Sequence, residues 1–212
     1  ARKKIDDFEI YKDQLKQRLD PTVTIMQGIN SFIKKNQTRI VFADGEDENT
    51  LKAAIAFKNS KLGIPILVGK ESKIKEQIRN IGYNENFDIE IINSKDEEKR
   101  KKYLKHLFEK LQREQGLLER DCDRLLRNDR VIWATSMVAC GDADGAVTGN
   151  TRRFGASLEK IKQVVDVRKG EIMFGLNMVV HKGRTIFIGD TSVHEYPTSE
   201  ELAEIAISTA RV

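Results

Sequence analysis

Hydrophobic residues along the chain form short apolar runs that alternate with longer amphipathic segments. Apolar runs at residues 39–45, 64–69 and 87–93 each end in Gly or Asn and predict three strands. Residues 49–63 and 72–83, which lie between these runs, have apolar side chains at helical spacing and predict two helices. Strands and helices that alternate in short steps favour a parallel sheet with helices on its faces.

The next part of the chain continues this pattern with longer helices. Residues 95–127 predict a helical stretch that is broken near Gly116, and residues 130–141 predict a buried helix. A fourth strand is predicted at residues 144–149 and a further helix at residues 157–167. We therefore expect the fourth strand to belong to the same α/β domain as the first three.

The pattern changes after residue 170. Two apolar runs within residues 172–190 flank a turn and predict a β-hairpin, and residues 197–212 predict the last helix. Thr198 and Glu201 have the spacing of a capping box, which marks the start of this helix. The chain is therefore predicted to have an α/β fold in two domains.

Three segments follow from this division. Residues 1–37 predict a helical linker, residues 38–150 a parallel α/β domain, and residues 151–212 the start of a second α/β domain. The first residue is not a methionine, and the chain stops within the predicted last helix. We expect the sequence to be a piece of a longer protein.

Composition and charge disfavour several classes of protein. Hydrophobic residues make up 39% and charged residues 33% of the 212 residues, which favours a soluble globular protein. No apolar run approaches the roughly 20 residues that span a bilayer, so no membrane association is expected. The net charge is +4, and the basic residues are interspersed with acidic ones. The sequence contains no known nucleic-acid-binding module, so no nucleic-acid partner is expected. Cys122 and Cys140 lack the spacing of a zinc site and are expected to be reduced in a cytoplasmic protein.

The stretch that follows the fourth predicted strand is the leading candidate for a ligand site. It combines a strand end, a glycine, hydroxyl donors, two guanidinium groups and a predicted helix start, which together favour a phosphate or carboxylate ligand. An exposed basic turn explains the same residues equally well. The candidate residues are Thr148, Gly149, Asn150, Thr151, Arg152 and Arg153.

Other polar segments carry weaker indications of function. The acidic run at residues 44–48 suits helix capping and solubility or, alternatively, a metal or a substrate amine. The turn at residues 69–72 is able to hold a phosphate but also suits an ordinary connection between a strand and a helix. The histidines fit neither a zinc-protease motif nor a catalytic triad. No catalytic residue and no metal site is therefore predicted in this chain.

Three segments, taken in order, resemble the phosphate acetyltransferase (phosphotransacetylase) family. They are RIVFADGEDENTLKAA with PILVG, then MVACGDADGAVTG, then GRTIFIGDTSVHEYPTSEELAEIA. The chain is most similar to the transacetylase-like C-terminal domain of bacterial NADP-dependent malic enzymes. The resemblance extends over nearly all of residues 1–212.

The resemblance implies a fold and a set of ligands. The family fold is α/β with two domains and a cleft between them, similar in plan to isocitrate dehydrogenases, and this chain looks like a fragment that lacks the C-terminal part. Malic-enzyme members bind acetyl-CoA as an effector through this domain, which also helps to assemble a homo-oligomer. The malic-enzyme domain of the same protein uses NADP and a divalent metal. The implied partners are thus acetyl-CoA, a malic-enzyme domain and further copies of the chain.

The resemblance also adds one residue and leaves an alternative function open. Arg127 precedes the predicted buried helix, where arginines of the family engage the cofactor, and it is a second ligand-binding candidate. Active transacetylases have a loop with Ser, His and Thr where this chain has GNTRRFG, which favours the regulatory role over acetyl transfer. The family's catalytic residues lie in the part that this fragment lacks. The alternative is a catalytic phosphate acetyltransferase.

Overall fold

The structure, a computed structural model, describes residues 8, 11, 12, 15, 21–83, 88–94, 96–181 and 184–212, the side chains of 21–25 and 27 excepted. The helices in the continuous ranges are α1 (Pro21–Lys35), α2 (Glu48–Asn59), α3 (Glu71–Asn80), α4 (Glu97–Gln115), α5 (Glu119–Asn128), α6 (Arg130–Ala139), α7 (Phe154–Val164) and α8 (Ser199–Ala210). The strands are β1 (Thr38–Phe42), β2 (Gly63–Val68), β3 (Glu90–Ile92), β4 (Gly145–Val147), β5 (Leu176–His181) and β6 (Arg184–Gly189). These bounds confirm the predicted order of strands and helices.

Four strands form one parallel sheet in the order β3-β2-β1-β4. Val41 in β1 is aligned with Ile66 of β2 on one side and with Ala146 of β4 on the other. The end of β2, from Ile66 to Val68, is buried without a polar interruption, as expected for a strand covered on both faces. The predicted parallel α/β sheet is therefore confirmed.

Helices cover both faces of this sheet, and each face has its own core. The first core joins β1 and β2 to α4, α5, α6 and α7, and at its centre the rings of Tyr103 and Trp133 meet edge to face with centroids 5.1 Å apart. The second core packs Leu51 and Ile55 of α2 and Ile74 of α3 against the opposite face. The predicted buried helix, now α6, is buried from Val131 to Met137.

Local caps set the ends of the long helices. The Asp96 carboxylate accepts from the backbone N–H groups of Glu98 and Lys99 and begins α4. Gly116 ends α4 with a φ of +68°, a left-handed conformation that glycine adopts without strain. The predicted break near Gly116 is thus confirmed, and its cause is a glycine C-cap.

The chain divides into two compact units, and the first runs from Ile33 to Asp166. The sequence analysis placed residues 151–212 in the second domain, whereas α7 packs onto the first unit in the structure. The reason is that Val164 of α7 is buried in the first core and the Lys110 amine of α4 donates to the Lys162 carbonyl at 2.9 Å. The hydrophobic pattern does not reveal this packing.

The second unit comprises Val167–Val212 and the described part of Ala1–Phe32. Strands β5 and β6 pair antiparallel, which confirms the predicted hairpin, although residues 182 and 183 of its turn lie outside the described residues. The Thr198 hydroxyl and the Glu201 carboxylate form the predicted capping box at the start of α8. Among the described residues, no helix combines the length and apolar character needed to span a membrane.

Candidate functional site

The loops that follow β1 and β4 meet at the carboxyl edge of the parallel sheet. β2 lies on one side of β1 and β4 on the other, so the chain order reverses between β1 and β4. In open parallel sheets, ligands bind at such a reversal beyond the carboxyl ends of the strands. The backbone already joins the two loops, because the Ala43 N–H donates to the Val147 carbonyl at 3.0 Å. The predicted anion-binding stretch therefore begins where the topology favours a ligand.

Two carboxylates after β1 anchor the loop after β4. The Thr151 hydroxyl donates to Asp44 Oδ1 at 2.7 Å, and Nδ2 of Asn150 donates to Asp47 Oδ2. Asp47 also caps α2, because its Oδ2 accepts from the Thr50 N–H at 2.9 Å. These bonds, above all the one from the Thr50 N–H, outweigh burial and hold the pKa of Asp47 below its ordinary value. The acidic run thus caps a helix and fixes the opposite loop.

A third carboxylate holds Arg152. Nη1 of Arg152 lies 2.7 Å from Asp129 Oδ2, and 34% of the Arg152 side chain remains exposed. The other oxygen of Asp129 accepts from the backbone N–H groups of Val131 and Ile132, and so caps α6. An arginine has five N–H donors in a fixed fork, so donors other than those on Asp129 are available to a ligand.

Arg153 has a different environment from its neighbour. It is the exposed N-cap residue of α7, and its side chain caps no backbone N–H group. No hydrogen bond or ion pair of its guanidinium is found among the described residues. The helix begins at Phe154 rather than near Ser157, so Arg153 stands directly at the start of α7. The structure thus separates two arginines that the sequence could not distinguish.

Thr148 and Gly149 line a small hollow between β4 and α7. Its volume is about 320 Å³, and Phe154, Leu158 and Ile161 supply most of its apolar wall. Gly149 has a φ of +101° with open space at the position of a side chain. The hydroxyl of Thr148 is buried, and it has no hydrogen-bond partner among the described residues. These two residues shape the turn and are not gathered with the charged groups of the loop.

A larger cleft opens at the carboxyl ends of β2 and β3. Its volume is about 710 Å³, and Arg127 at the end of α5 is one of its lining residues. The Arg127 Nε lies 2.6 Å from Asp123 Oδ2, and 52% of the Arg127 side chain is exposed. The lining residues are Glu46, Val68, Gly69, Lys70, Asn93, Ser94, Glu97, Arg100, Arg127, Asn128 and Arg130.

Glu46 is the central carboxylate of this cleft. Its Oε1 accepts from the Lys70 N–H at 2.8 Å, and its Oε2 lies 2.7 Å from the Arg130 guanidinium. Burial alone would raise the pKa of Glu46, but the Lys70 N–H and the charge of Arg130 outweigh it and lower the pKa. A charged Glu46 therefore holds Arg130 at the cleft wall.

The structure brings the two predicted candidate regions together at one short segment. Three residues of the segment 127–130 make the link. Arg127 faces the cleft, Asp129 binds Arg152 of the β4 loop, and Arg130 binds Glu46. Sequence reasoning missed Asp129 and the cleft residues Arg100 and Arg130. The signal for Asp129 was an aspartate directly before a buried helix, which is a common N-cap pattern.

For the acidic run after β1, the sequence leaves two roles open, helix capping or the binding of a metal or an amine. Capping is confirmed for Asp47. In the part of the chain that the structure describes, no group of three or more His, Cys, Asp and Glu residues is arranged to hold a metal ion. The carboxylates of the run instead face the protein's own hydroxyl, amide, guanidinium and lysine ammonium groups.

Comparisons with known proteins agree on one family. The profile of the phosphate acetyl/butaryl transferase family matches residues 24–212. The chain is 40% identical to an NADP-dependent malic enzyme of Rhizobium meliloti over 211 residues, which is 99% of this chain but 28% of that protein. It is 30% identical to a phosphate acetyltransferase of Clostridium acetobutylicum, with 88% of this chain and 57% of that protein covered.

A solved structure shares the fold. The EutD phosphotransacetylase from Staphylococcus aureus superimposes with a TM-score of 0.80 at 24% identity, over 90% of this chain and 57% of that one. The resemblance stated from the sequence is therefore confirmed for both the family and the fold. The chain spans about a quarter of the length of the malic enzymes that it matches, 28% in the first case.

Proposed function

Because the chain belongs to the phosphate acetyl/butaryl transferase family, we propose that it is an acetyl-CoA-binding regulatory and assembly domain of a malic enzyme. The protein as a whole would oxidise and decarboxylate malate to pyruvate with NADP and a divalent metal, both bound outside this chain. The 40% identity to an NADP-dependent malic enzyme, which extends over 99% of this chain, supports this assignment. Acetyl-CoA is the effector in this proposal.

The observation that carries the proposal is the cluster of arginines at the carboxyl edge of the sheet. Coenzyme A carries several phosphate groups, and guanidinium groups bind phosphate oxygens through paired N–H donors. Arg152 keeps about a third of its side chain exposed (34%), and Arg127 and Arg130 line a cleft of about 710 Å³. This volume lies within the range of small-molecule sites, roughly 300–1,000 Å³.

The assembly part of the proposal is supported by the surface of the β5–β6 hairpin. An isolated two-stranded sheet is marginally stable in water, and large exposed apolar patches mark protein interfaces. Residues of both strands expose apolar side chains in the second unit. They are Leu176, Met178, Val179, Ile186, Phe187 and Ile188. We expect further copies of the chain in the assembled protein, which light scattering would detect.

A catalytic phosphate acetyltransferase is the second candidate function. The phosphate acetyltransferase at 30% identity and the shared fold support it, and the same arginines would bind inorganic phosphate or acetyl phosphate. In that reaction an acetyl group passes from the sulfur of acetyl-CoA to a phosphate oxygen. The loop GNTRRFG would then have to position phosphate instead of responding to an effector.

One set of assays on the full-length protein separates the two candidates. Calorimetry measures acetyl-CoA binding, malate-dependent NADP reduction is followed with and without acetyl-CoA, and acetyl-CoA formation is assayed from acetyl phosphate and CoA. Binding with altered malate oxidation and no acetyl transfer supports the regulatory function. Turnover of acetyl phosphate supports the catalytic alternative. A protein that neither binds acetyl-CoA nor transfers acetyl groups contradicts both.

A further inference from the structure

We infer that Asp129 is the positioning residue of the arginine site: it fixes the Arg152 guanidinium at the carboxyl end of β4. The inference deepens the proposed function and rests on it, because it names the residue that prepares the site for an anionic ligand. Asp129 lies 23 positions before Arg152 in the sequence and belongs to neither of the predicted ligand-binding stretches.

Asp129 is itself held firmly by the two helices that it joins. It is the C-cap residue of α5 and the N-cap residue of α6. Its N–H donates to the Leu125 carbonyl at 2.9 Å, and its carbonyl accepts from the Trp133 N–H at 3.0 Å. Its Oδ1 accepts from Val131 and Ile132. These bonds therefore orient the carboxylate independently of Arg152.

The second oxygen of Asp129 is thus directed by the first. With Oδ1 fixed on the start of α6, Oδ2 is left to accept from Arg152 Nη1 at 2.7 Å. The Asp129 side chain is only 13% exposed, so solvent and salt screen this ion pair less than they screen a surface pair. A long arginine side chain held in one position loses less conformational freedom when a ligand binds.

Arg153 shows what Arg152 would be without this partner. It is exposed, and its guanidinium forms no hydrogen bond or ion pair within the described part of the chain. A ligand would have to order its side chain, whereas Arg152 is already ordered by Asp129. The chain thus provides a positioned and a solvated arginine side by side.

The substitution Asp129→Asn tests this inference because it separates the two roles of the side chain. Asparagine caps helices about as well as aspartate, so α6 keeps its N-cap, but the neutral amide no longer pairs with Arg152. We expect acetyl-CoA to bind the full-length D129N protein about tenfold more weakly, a size within the range of coupling between contacting residues. The variant R152A, which removes the guanidinium, measures the largest loss of acetyl-CoA affinity that D129N is able to cause through Arg152.

Two variants serve as matched controls. Asp96→Asn makes the same change at the N-cap of α4, where the side chain accepts from the backbone N–H groups of Glu98 and Lys99. It measures the stability cost of a neutral cap, to which D129N adds the loss of the Arg152 ion pair. Asp166→Asn also removes one negative charge and breaks an ion pair, the one with Lys110 beyond the other end of α7. It should leave acetyl-CoA binding within about twofold of the unmutated protein, because distant sites act independently.

The double variant D129N/R152A identifies the route of the effect. If Asp129 acts through Arg152, the double variant binds acetyl-CoA no more weakly than R152A alone. Additive losses would show that Asp129 acts in another way and would overturn the inference. So would a D129N protein that binds like the unmutated one while R152A is weakened, and in that case the proposed function would stand.

A structural readout keeps the test valid if acetyl-CoA is not the ligand. In a crystal structure of D129N, the Arg152 guanidinium should leave its position or become disordered, while α6 stays intact. An unmoved guanidinium contradicts the inference whatever the ligand. Failure of the unmutated protein to bind acetyl-CoA contradicts the proposed function alone, so the two failures are distinguishable.

Discussion

The Thr151 hydroxyl donates to Asp44 Oδ1 at 2.7 Å and joins the ends of β1 and β4 across 107 positions of sequence. Asp44 is only 4% exposed, and its Oδ2 has no hydrogen-bond partner in the part of the chain that the structure describes. In this part, Thr151 is also the one donor found for the Asp44 side chain. A surface hydroxyl therefore satisfies one oxygen of a buried carboxylate and, through it, holds the candidate loop.

Thr151→Val should destabilise the protein because it leaves the buried Asp44 carboxylate without this donor. We expect the free energy of unfolding to fall by about 1–3 kcal/mol, the cost of an unsatisfied buried polar group. Urea denaturation followed by tryptophan fluorescence reports the change, because Trp133 lies in the core of the same unit.

Thr148→Val is the matched control for this prediction. The Thr148 hydroxyl is buried and has no partner among the described residues, so its removal breaks no hydrogen bond with any of them. We expect a change of no more than about 0.5 kcal/mol in the unfolding free energy. Equal losses for the two threonines would refute the importance of the bond between Thr151 and Asp44.

Gly45→Ala should displace the loop after β1. A Cβ at Gly45 would lie 2.9 Å from the Val68 carbonyl oxygen and 3.1 Å from Leu67 Cβ, so the loop or β2 has to move. We expect an unfolding free energy lower by about 1–3 kcal/mol, as for other overpacked sites. The neighbouring Asp44 and Glu46 would shift with the loop, so acetyl-CoA binding should weaken as well.

Gly155→Ala provides the opposite case. Gly155 lies in α7, and a Cβ there would meet nothing within 4 Å. Alanine favours the helix over glycine by up to about 1 kcal/mol, so this variant should be slightly more stable. If both alanine variants had the same unfolding free energy, the close approach at Gly45 would not matter.

Asp190→Asn should reduce the acid sensitivity of the turn between β6 and α8. Burial alone would raise the pKa of Asp190, but hydrogen bonds from the N–H groups of Val193, Ser192 and His194 and from the His194 ring outweigh it. The folded pKa is therefore well below that of the unfolded chain, about 3.9. Its stabilisation is present above the unfolded pKa and is lost as the pH falls through the folded pKa.

Hydrogen exchange of the intact protein, read by mass spectrometry on a peptide that covers this turn, measures the local change in stability. Between about pH 5 and pH 3, protection of the amides of residues 192–194 should fall in the unmutated protein, after correction for the intrinsic exchange rate. D190N should be less protected at neutral pH and change less with pH, and asparagine tolerates the φ of +44° at this position. Asp88→Asn, which neutralises an exposed carboxylate, should behave like the unmutated protein.

Local sequence patterns predicted the elements of this fold because their causes are local. The apolar run of β2, the Gly116 C-cap and the capping box at Thr198 each depend on a few adjacent residues. The packing of α7 on the first unit depends on Lys110, which is more than 40 positions away and reads as a solvated lysine. Sequence alone therefore placed the domain boundary before α7.

The candidate site was predictable in its cations but not in its anions. Arg152 and Arg127 stand out beside a strand end and a helix, where charge and backbone donors combine. Asp129, the partner of Arg152, is distant from the β4 loop in the sequence. Asp123, the partner of Arg127, is one of many alternating charges along α5. Without long-range contacts, the two adjacent arginines 152 and 153 are equivalent, and only the fold assigns the carboxylate to one of them.

The contrast between these arginines gives the most direct test of the proposed function. In the full-length protein, Arg152→Ala should weaken inhibition of malate oxidation by acetyl-CoA roughly tenfold to a hundredfold, because a charge-assisted hydrogen bond contributes about 1.5–3 kcal/mol. Arg153→Ala should shift the inhibition curve less, because its guanidinium is exposed at the start of α7. Each rate is expressed as a fraction of that variant's uninhibited rate, so changes in basal activity do not enter the comparison.

Arg127→Ala tests whether the cleft and the loop bind the same ligand. If acetyl-CoA spans both, losing Arg127 should also weaken inhibition, and by less than losing Arg152, because Arg127 is half exposed whereas the largely buried Asp129 holds Arg152. Superimposable inhibition curves for all three variants would mean that the arginines are merely solvated. If R152A instead lost malate oxidation without any effector, the loop would serve the fold or the assembly. The proposal that this loop binds acetyl-CoA would then lose its support.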